Sequence, residues 1–275
     1  MEQLNDRIEE LKASLPTDVK HLVENDNLKK NSKYPFNQYT NIFSVLFWKG
    51  NLSLDDYFKI RDDYFTRNPY LDLFEKAPRT FGQTWGEEWL KSKTASLQDP
   101  PKMDGYTSQF DLWFPLSEDS GIKVEVKSSH VAYKDSDRIL VEKALKKPRG
   151  TDEEVKQSIE ELSFEMNFQQ LKPSCCDVFV WIAVWLDDID IWVIPSSRIV
   201  MRTKESPRRK PKDSIVTDEG IIYMGTQHQG GKGGTVPEGQ VFVTNKHYKD
   251  LDCYKVTLES LIDKIKEYGN VNQRT

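Results

Sequence analysis

The chain begins with a stretch in which apolar residues recur at helical spacing. Leu4, Ile8 and Leu11 lie three or four residues apart, which predicts an amphipathic helix. Further along, Ser53 precedes an acidic turn and an aromatic-rich stretch, as expected of a residue that caps the N-terminus of a helix. Residues 1–76 are therefore predicted to form a helical N-terminal region that serves as a cap or a dimerisation element.

From residue 81 the pattern becomes typical of a sheet with helices packed on it. Residues 109–115 and 122–128 predict a hairpin with a polar turn, and residues 177–185 are apolar enough to predict a buried strand. Residues 152–172 predict a long helix. The other predicted elements are a helix before the hairpin, a strand at 189–194, loops over 202–240 and a C-terminal helix. The order helix, hairpin, helix, strand predicts an α/β (α+β) fold with a central mixed sheet flanked by helices.

The hairpin carries candidate catalytic residues. The two-residue period of a strand places Glu125 and Lys127 on one face. If Pro115 lies opposite Gly121, Asp111 lies opposite Glu125, with side chains about 5 Å apart. Facing carboxylates destabilise a hairpin unless a cation neutralises them, and their oxygens suit Mg²⁺. The alternative for Glu125 and Lys127 is an ordinary solvated strand face in a charged chain.

These residues match a known nuclease signature. Asp111, thirteen intervening residues and the Glu-Val-Lys tripeptide at 125–127 resemble the motif of the PD-(D/E)XK nuclease superfamily. Phe110 stands where that motif often has proline. The stretch 168–181 is similar to bacterial type II restriction endonucleases, and the resemblance covers about residues 81–195.

The resemblance implies a restriction-endonuclease-like core within residues 77–275. It implies a type II site-specific deoxyribonuclease that cuts double-stranded DNA with Mg²⁺ and leaves 5′-phosphate and 3′-hydroxyl ends. Asp111 and Glu125 would bind the metal, and Lys127 would position the attacking water. Mn²⁺ is expected to substitute for Mg²⁺, and Ca²⁺ to support binding without cleavage. The expected partners are double-stranded DNA, a second copy in a homodimer and, as a genetic partner, a cognate DNA methyltransferase.

Apart from a purely structural protein, which would not bind DNA even at low salt, two rival functions remain open at this point. One is a repair or structure-specific nuclease on the same core, which would not cut intact plasmid at discrete positions. The other is a non-catalytic DNA-binding module that uses the fold as a scaffold, which would bind DNA without cutting it.

Two further polar residues lie on predicted helical stripes of apolar residues. Helical spacing places Glu88 on such a stripe and points Glu87 away from it. Gln169 continues a stripe on the predicted helix 152–172. The resemblance implies an additional metal-binding acid at Glu88 and a glutamine supporting the active site at Gln169. Ordinary surface roles are the alternatives, and the choices between Glu87 and Glu88 and between Gln169 and Gln170 stay open.

Three segments are candidates for contacting DNA. Two polar residues directly follow the catalytic strand and could contact phosphate. The alternative is that they order the end of the strand. A basic stretch supplies charge for phosphates, and a glycine-rich stretch supplies amides that can read bases. Solvated surface loops are the alternative for both stretches. The candidates are Ser129, His130, Arg202, Lys204, Arg208, Arg209, Lys210, Gln227, His228, Gln229 and Lys232.

Composition narrows the protein class further. The chain has 275 residues, 37% of them hydrophobic, and a formal net charge of −5. This indicates a globular protein and excludes one that binds DNA by bulk charge alone. Three cysteines cannot form a disulfide framework, and adjacent Cys175 and Cys176 lack zinc-finger spacing. With a polar N-terminus and no long apolar run, we expect a bacterial cytoplasmic protein with no membrane partner.

Overall fold

The computed structural model divides the chain into two compact units. The first comprises residues 1–75 and 135–144, and the second comprises residues 76–134 and 145–275. None of the described helices is both long and apolar enough to cross a membrane. The residues that the structure describes are 2–25, 28, 35–75, 85–101, 110–118, 120–134, 143–204, 206, 214–228 and 238–272.

The first unit is helical, as the sequence predicts. Ser53 caps its longest described helix by accepting a hydrogen bond from the Asp56 backbone N–H at 3.1 Å. Phe36, Phe43 and Tyr64 are buried between the helices, and the rings of Phe36 and Phe43 lie 5.0 Å apart. The helices are α1 (Glu2–Ala13), α2 (Thr17–Val23), α3 (Pro35–Gln38), α4 (Thr40–Trp48) and α5 (Leu54–Arg67), followed by a 3-10 helix at Leu71–Glu75.

The second unit contains two mixed sheets. Its elements are α6 (Gly86–Lys93), β1 (Leu112–Pro115), β2 (Gly121–His130), β3 (Ala132–Tyr133), α7 (Asp152–Glu161), β4 (Phe164–Leu171), β5 (Val178–Val184), β6 (Ile189–Pro195), β7 (Ile199–Met201), β8 (Ile222–His228), β9 (Glu238–Thr244), β10 (Lys255–Val256) and α8 (Leu258–Asn272). Short 3-10 helices occupy Pro173–Cys175, Ser196–Arg198 and Tyr248–Tyr254. Sheet A has the strand order β1-β2-β5-β6-β10, and sheet B has the order β3-β4-β9-β8-β7. The β2–β5 and β7–β8 pairs are parallel, and the other pairs are antiparallel.

Sheet A is covered on both faces. On one face, Trp181 of β5 stacks on Phe168 of sheet B, with ring centroids 4.3 Å apart. On the other face, helix α8 buries Leu261 and Ile265 completely against the sheet. All seven residues of β5 are buried, which explains its unbroken apolar sequence. The fold is therefore mixed α+β, with two mixed sheets flanked by helices and a helical N-terminal region.

The predicted helix over 152–172 is wrong beyond Glu161. Helix α7 begins with a capping box of Thr151 and Glu154 and ends after ten residues. The chain then forms β4, because Phe164, Met166 and Phe168 are buried at a period of two rather than 3.6.

The predicted loop over 202–240 is wrong in part. Within that range β8 occupies Ile222–His228, and β9 begins at Glu238. Ile222 and Met224 of β8 are buried at alternate positions, which is the period of a half-buried strand.

Candidate active site

The hairpin of β1 and β2 has the predicted register. Pro115 lies opposite Gly121, and Leu112 lies opposite Val124. The ladder ends at Leu112, so Asp111 lies one residue before its first described pair. The turn between the strands is closed by a hydrogen bond from the Leu116 N–H to the Ser120 carbonyl at 2.8 Å.

Asp111 is fixed to β2 through both its backbone and its side chain. Its backbone N–H donates to the Val124 carbonyl at 3.1 Å, and its carboxylate accepts a hydrogen bond from the Val126 N–H at 2.8 Å. The side chain thus replaces a backbone acceptor at the end of the ladder. The Asp111 carboxylate is thereby held against the strand that carries Glu125.

Glu125, which is buried, and Lys127, which is half-buried, form an ion pair on one face of β2. The Lys127 ammonium donates a hydrogen bond to Glu125 Oε1. Glu125 Oε2 is also buried, and no described residue donates a hydrogen bond to it. An anionic oxygen in that position is destabilising unless a cation or a donor reaches it. The predicted shared face of Glu125 and Lys127 is confirmed, and the burial of Glu125 argues against an ordinary solvated strand face.

The electrostatics of the site show that its acids crowd one another. Burial is the main cause that raises the pKa of Glu125 to about 7, with Lys127 opposing the shift and Asp111 adding to it. Burial alone would lower the pKa of Lys127, but the carboxylates of Glu125 and Asp111 outweigh it and raise that pKa. Burial and neighbouring carboxylates therefore disfavour ionised Glu125, and a cation bound beside it would favour the ionised form.

Glu87, and not Glu88, faces this group. Burial raises the pKa of Glu87 to about 8, with Asp111 and Glu125 as the next largest causes. The side chain of Glu88 is 62% exposed and pairs with Lys91 at 2.6 Å. The predicted orientation, with Glu88 inward and Glu87 outward, is therefore wrong.

A close helix-to-strand approach places Glu87. Gly86 is buried at the start of α6, and a Cβ built there would overlap Ser128 Oγ and lie 3.1 Å from Val126 Cγ1. Only glycine lets the first turn of α6 approach β2 this closely. The next residue in the chain, Glu87, is thereby brought to the strand that carries Glu125. The sequence signal that could have identified Glu87 is the glycine that directly precedes the two glutamates.

Gln169 does not lie on a helix beside the site. It is an exposed residue of β4, at an irregularity where the ladder with β9 shifts between Phe168 and Leu171. The neighbouring Gln170 has a φ of 55°, the left-handed region that non-glycine residues rarely adopt. The helical stripe that suggested Gln169 does not exist, because the helix ends at Glu161.

Ser129 and His130 complete strand β2. Ser129 shares the face of Glu125 and Lys127, and its hydroxyl accepts a hydrogen bond from the Asn167 backbone N–H at 3.0 Å. It therefore ties β2 to β4, which agrees with the alternative that this residue orders the end of the strand. His130 is half-buried and lies beside Val184 in the parallel ladder.

The predicted DNA-contacting residues are described only in part. Arg202 lies after β7, and its guanidinium is 5.7 Å from the centre of the Tyr223 ring. Lys204 is exposed two residues further on. The backbones of Gln227 and His228 belong to β8, but their side chains are not described. The remaining predicted contacts lie outside the described residues, namely Arg208, Arg209, Lys210, Gln229 and Lys232.

The donor set fits a hard cation that keeps several water ligands. Mg²⁺ is usually bound by one or two protein carboxylates and completes its shell with water and substrate phosphate. Glu125 Oε2 is buried without a described donor, and Asp111 is close enough to raise the pKa of Glu125. In the described part of the chain, no group of three or more His, Cys, Asp or Glu side chains could hold a metal ion.

Comparisons with known proteins were made at three levels. No protein-family model, no curated protein and no solved structure matches the chain.

Proposed function

We propose that the protein is a magnesium-dependent DNA endonuclease whose active site is formed by Asp111, Glu125 and Lys127. The observation that carries this proposal is the buried Glu125 carboxylate. One of its oxygens binds Lys127, and the other has no described hydrogen-bond donor although it lies beside a second acid. Such an arrangement is costly for stability alone and is useful for binding a cation.

Each residue has a distinct task in this proposal. Asp111 and Glu125 would hold Mg²⁺, and Glu87 would support it from helix α6. The bound Mg²⁺ would polarise the scissile phosphate and lower the pKa of an attacking water. The Lys127 ammonium is held in place by Glu125 and supplies a fixed positive charge for the phosphate as negative charge develops.

Two kinds of endonuclease fit this site. A type II restriction enzyme, acting as a homodimer, would cut both strands of intact duplex at discrete positions. A repair or structure-specific nuclease would instead need a nick, a flap or another distortion. The chemistry at Asp111, Glu125 and Lys127 is the same in both, so the substrate separates them.

The decisive experiment compares cleavage with binding. Unmodified plasmid and phage DNA, and branched oligonucleotides, are incubated with the protein and Mg²⁺, and the product ends are sequenced. Asp111→Asn and Glu125→Gln should each slow cleavage at least about a hundredfold, because the metal is needed for the chemical step. Both variants should still bind DNA in Ca²⁺ in a gel-shift assay.

A surface carboxylate provides the control. Asp252 is exposed and pairs only loosely with Lys249, at 3.4 Å. Asp252→Asn should cut at the normal rate. Normal cutting by the Asp111 or Glu125 variant would refute the site assignment, and DNA binding without any metal-dependent cutting by the unmodified protein would favour a non-catalytic binding module.

A further inference from the structure

The outer face of sheet B presents a mixed aromatic and amide surface. Inward-pointing Val241 and Val243 are buried, so the alternate residues of β9 point away from sheet A. The ladders place residues of four strands on that same side, since Asn167 pairs with Phe242, Gly225 with Gln240, and Val200 with Tyr223. The outer face of sheet B is defined here by Asn167, Val200, Tyr223, Gln240 and Phe242.

Phe242 is the most conspicuous of these residues. Its side chain is 45% exposed in the middle of the face, although a phenyl ring is normally buried. Beside it, the Asn167 amide donates to Gln240 Oε1 at 3.5 Å, which orients two amides next to the ring. Gly225, paired with Gln240, adds no side chain, so the surface near the ring stays flat.

A cation accompanies the aromatic residues. The Arg202 guanidinium lies over Tyr223, with 5.7 Å between its carbon and the ring centre. The face is not an acidic surface, because two acids that share it are each paired with a lysine. These pairs are Glu165 with Lys134 at 3.8 Å and Glu238 with Lys172 at 3.0 Å.

We propose that the outer face of sheet B binds a single-stranded segment of nucleic acid. Exposed rings on a sheet stack with unpaired bases, amides bond their edges, and arginine contacts the phosphates. Paired bases cannot stack on such a face, because reading a duplex requires an element that enters a groove. An apolar protein partner is a poorer match, since the Arg202 guanidinium and the Gln240 amide would have to be desolvated.

Strand β4 is hydrogen-bonded to the strand that carries Glu125 and Lys127. Asn167 carries the amide that orients Gln240, and its backbone N–H donates to Ser129 Oγ at 3.0 Å. Ser129 is two residues beyond Lys127 on the same face of β2. A nuclease that holds an unpaired strand on this face would act on DNA that contains a single-stranded segment. This consequence rests on the proposed function, and it selects a structure-specific nuclease over one that cuts intact duplex.

The test measures binding and not cutting. Fluorescence anisotropy is recorded in EDTA for a labelled 30-nucleotide single strand and for the duplex of the same sequence. Phe242→Ala should weaken single-strand binding about 5- to 150-fold, the range for loss of one stacked base. Phe242→Leu should weaken it similarly, because it keeps apolar bulk without a ring, whereas Phe242→Tyr should bind normally. Arg202→Gln should reduce the salt dependence by about 0.7 in log–log slope for one lost contact.

Trp48 provides the matched control. It is 76% exposed on the first unit, and Trp48→Ala should bind single strands normally. A melting curve for each variant checks folding, and the Tyr and Leu variants test the ring even if the Ala variant unfolds. Equal affinity for single strand and duplex, with no effect of Phe242→Leu, would overturn the proposal. A Phe242→Leu variant that sediments differently from the unmodified protein but binds DNA equally well would also overturn it. That result would indicate a protein-docking surface.

Failure of the nuclease proposal gives a different result. Absence of metal-dependent cutting by the intact protein would leave the EDTA binding results unchanged. Preference for the single strand, lost in Phe242→Leu and kept in Phe242→Tyr, would then still establish the binding face.

Discussion

Asp190→Asn should destabilise the second unit strongly. The Asp190 side chain is 2% exposed, and the four described side-chain groups that bond to its carboxylate are all hydrogen-bond donors. An asparagine must turn its NH₂ group toward one pair of these donors, and it also removes the buried charge that balances two partly exposed lysines. The donors are Lys147 Nζ at 2.7 Å, Lys255 Nζ at 2.8 Å, Trp185 Nε1 at 2.8 Å and the Tyr248 hydroxyl.

The size of the effect follows from this burial. Removing one partner of a buried, hydrogen-bonded charge pair costs about 3–5 kcal/mol. For a unit of this size, each kcal/mol lowers the melting temperature by about 2–4 °C, so a fall of about 6–20 °C is expected. Urea unfolding followed by tryptophan fluorescence, together with calorimetry, measures both quantities. The control Asp252→Asn removes an exposed pair and should change stability by less than about 1 kcal/mol.

The effect should also depend on pH. Burial alone would raise the pKa of Asp190, but Lys255 and Lys147 outweigh it and hold that pKa below its usual value. The stabilisation from ionised Asp190 is therefore complete above the unfolded pKa of about 3.9 and disappears as the pH falls through the lower folded value. The stability gap between the protein and Asp190→Asn should be constant above about pH 5 and shrink below pH 4. A gap under 1 kcal/mol at pH 7, or one that grows in acid, would refute this account of the network.

Three further predictions concern the candidate active site. Glu87→Gln should slow Mg²⁺-dependent cleavage by about tenfold or more, whereas Glu88→Gln should cleave at a near-normal rate. If single-turnover rates show the reverse order, Glu88 and not Glu87 faces the site. Lys127→Ala should be slower by about a hundredfold at saturating Mg²⁺, and Lys127→Arg should not restore the rate, because a guanidinium cannot replace a compact ammonium. Gly86→Ala should cost about 1–3 kcal/mol of stability in urea unfolding, and adding Ser128→Gly should recover part of it; no recovery would place the clash elsewhere.

The hairpin could be predicted in detail because its information is local. The apolar alternation and a polar turn of five residues determine which residue faces which, and the ladder from Leu112 to Pro115 follows that arithmetic. The end of the ladder was not predictable in this way. At Asp111 a side chain replaces a backbone acceptor, and the alternation of residues along a strand gives no information about such a hydrogen bond.

Residues 162–171 show where local pattern misleads. Leu162 and Met166 continue the helical spacing of Val155 and Ile159, so the sequence supports a longer helix. The competing period of two in Phe164, Met166 and Phe168 prevails because sheet A offers Trp181 as a partner for Phe168. That partner is distant in the chain, and a single-segment pattern carries no information about it.

The choice between Glu87 and Glu88 depends on what counts as the buried side of a helix. Helical spacing gives weight to large apolar residues, so Trp85 and Trp89 define a stripe that includes Glu88. In the structure these two rings stack on each other, 5.6 Å apart, and stay only half-buried. The side of α6 that lies against the sheet instead contains Gly86, whose missing side chain permits the closest approach. A hydrophobicity pattern gives glycine almost no weight, yet close packing at this position is what brings an acid to the candidate metal site.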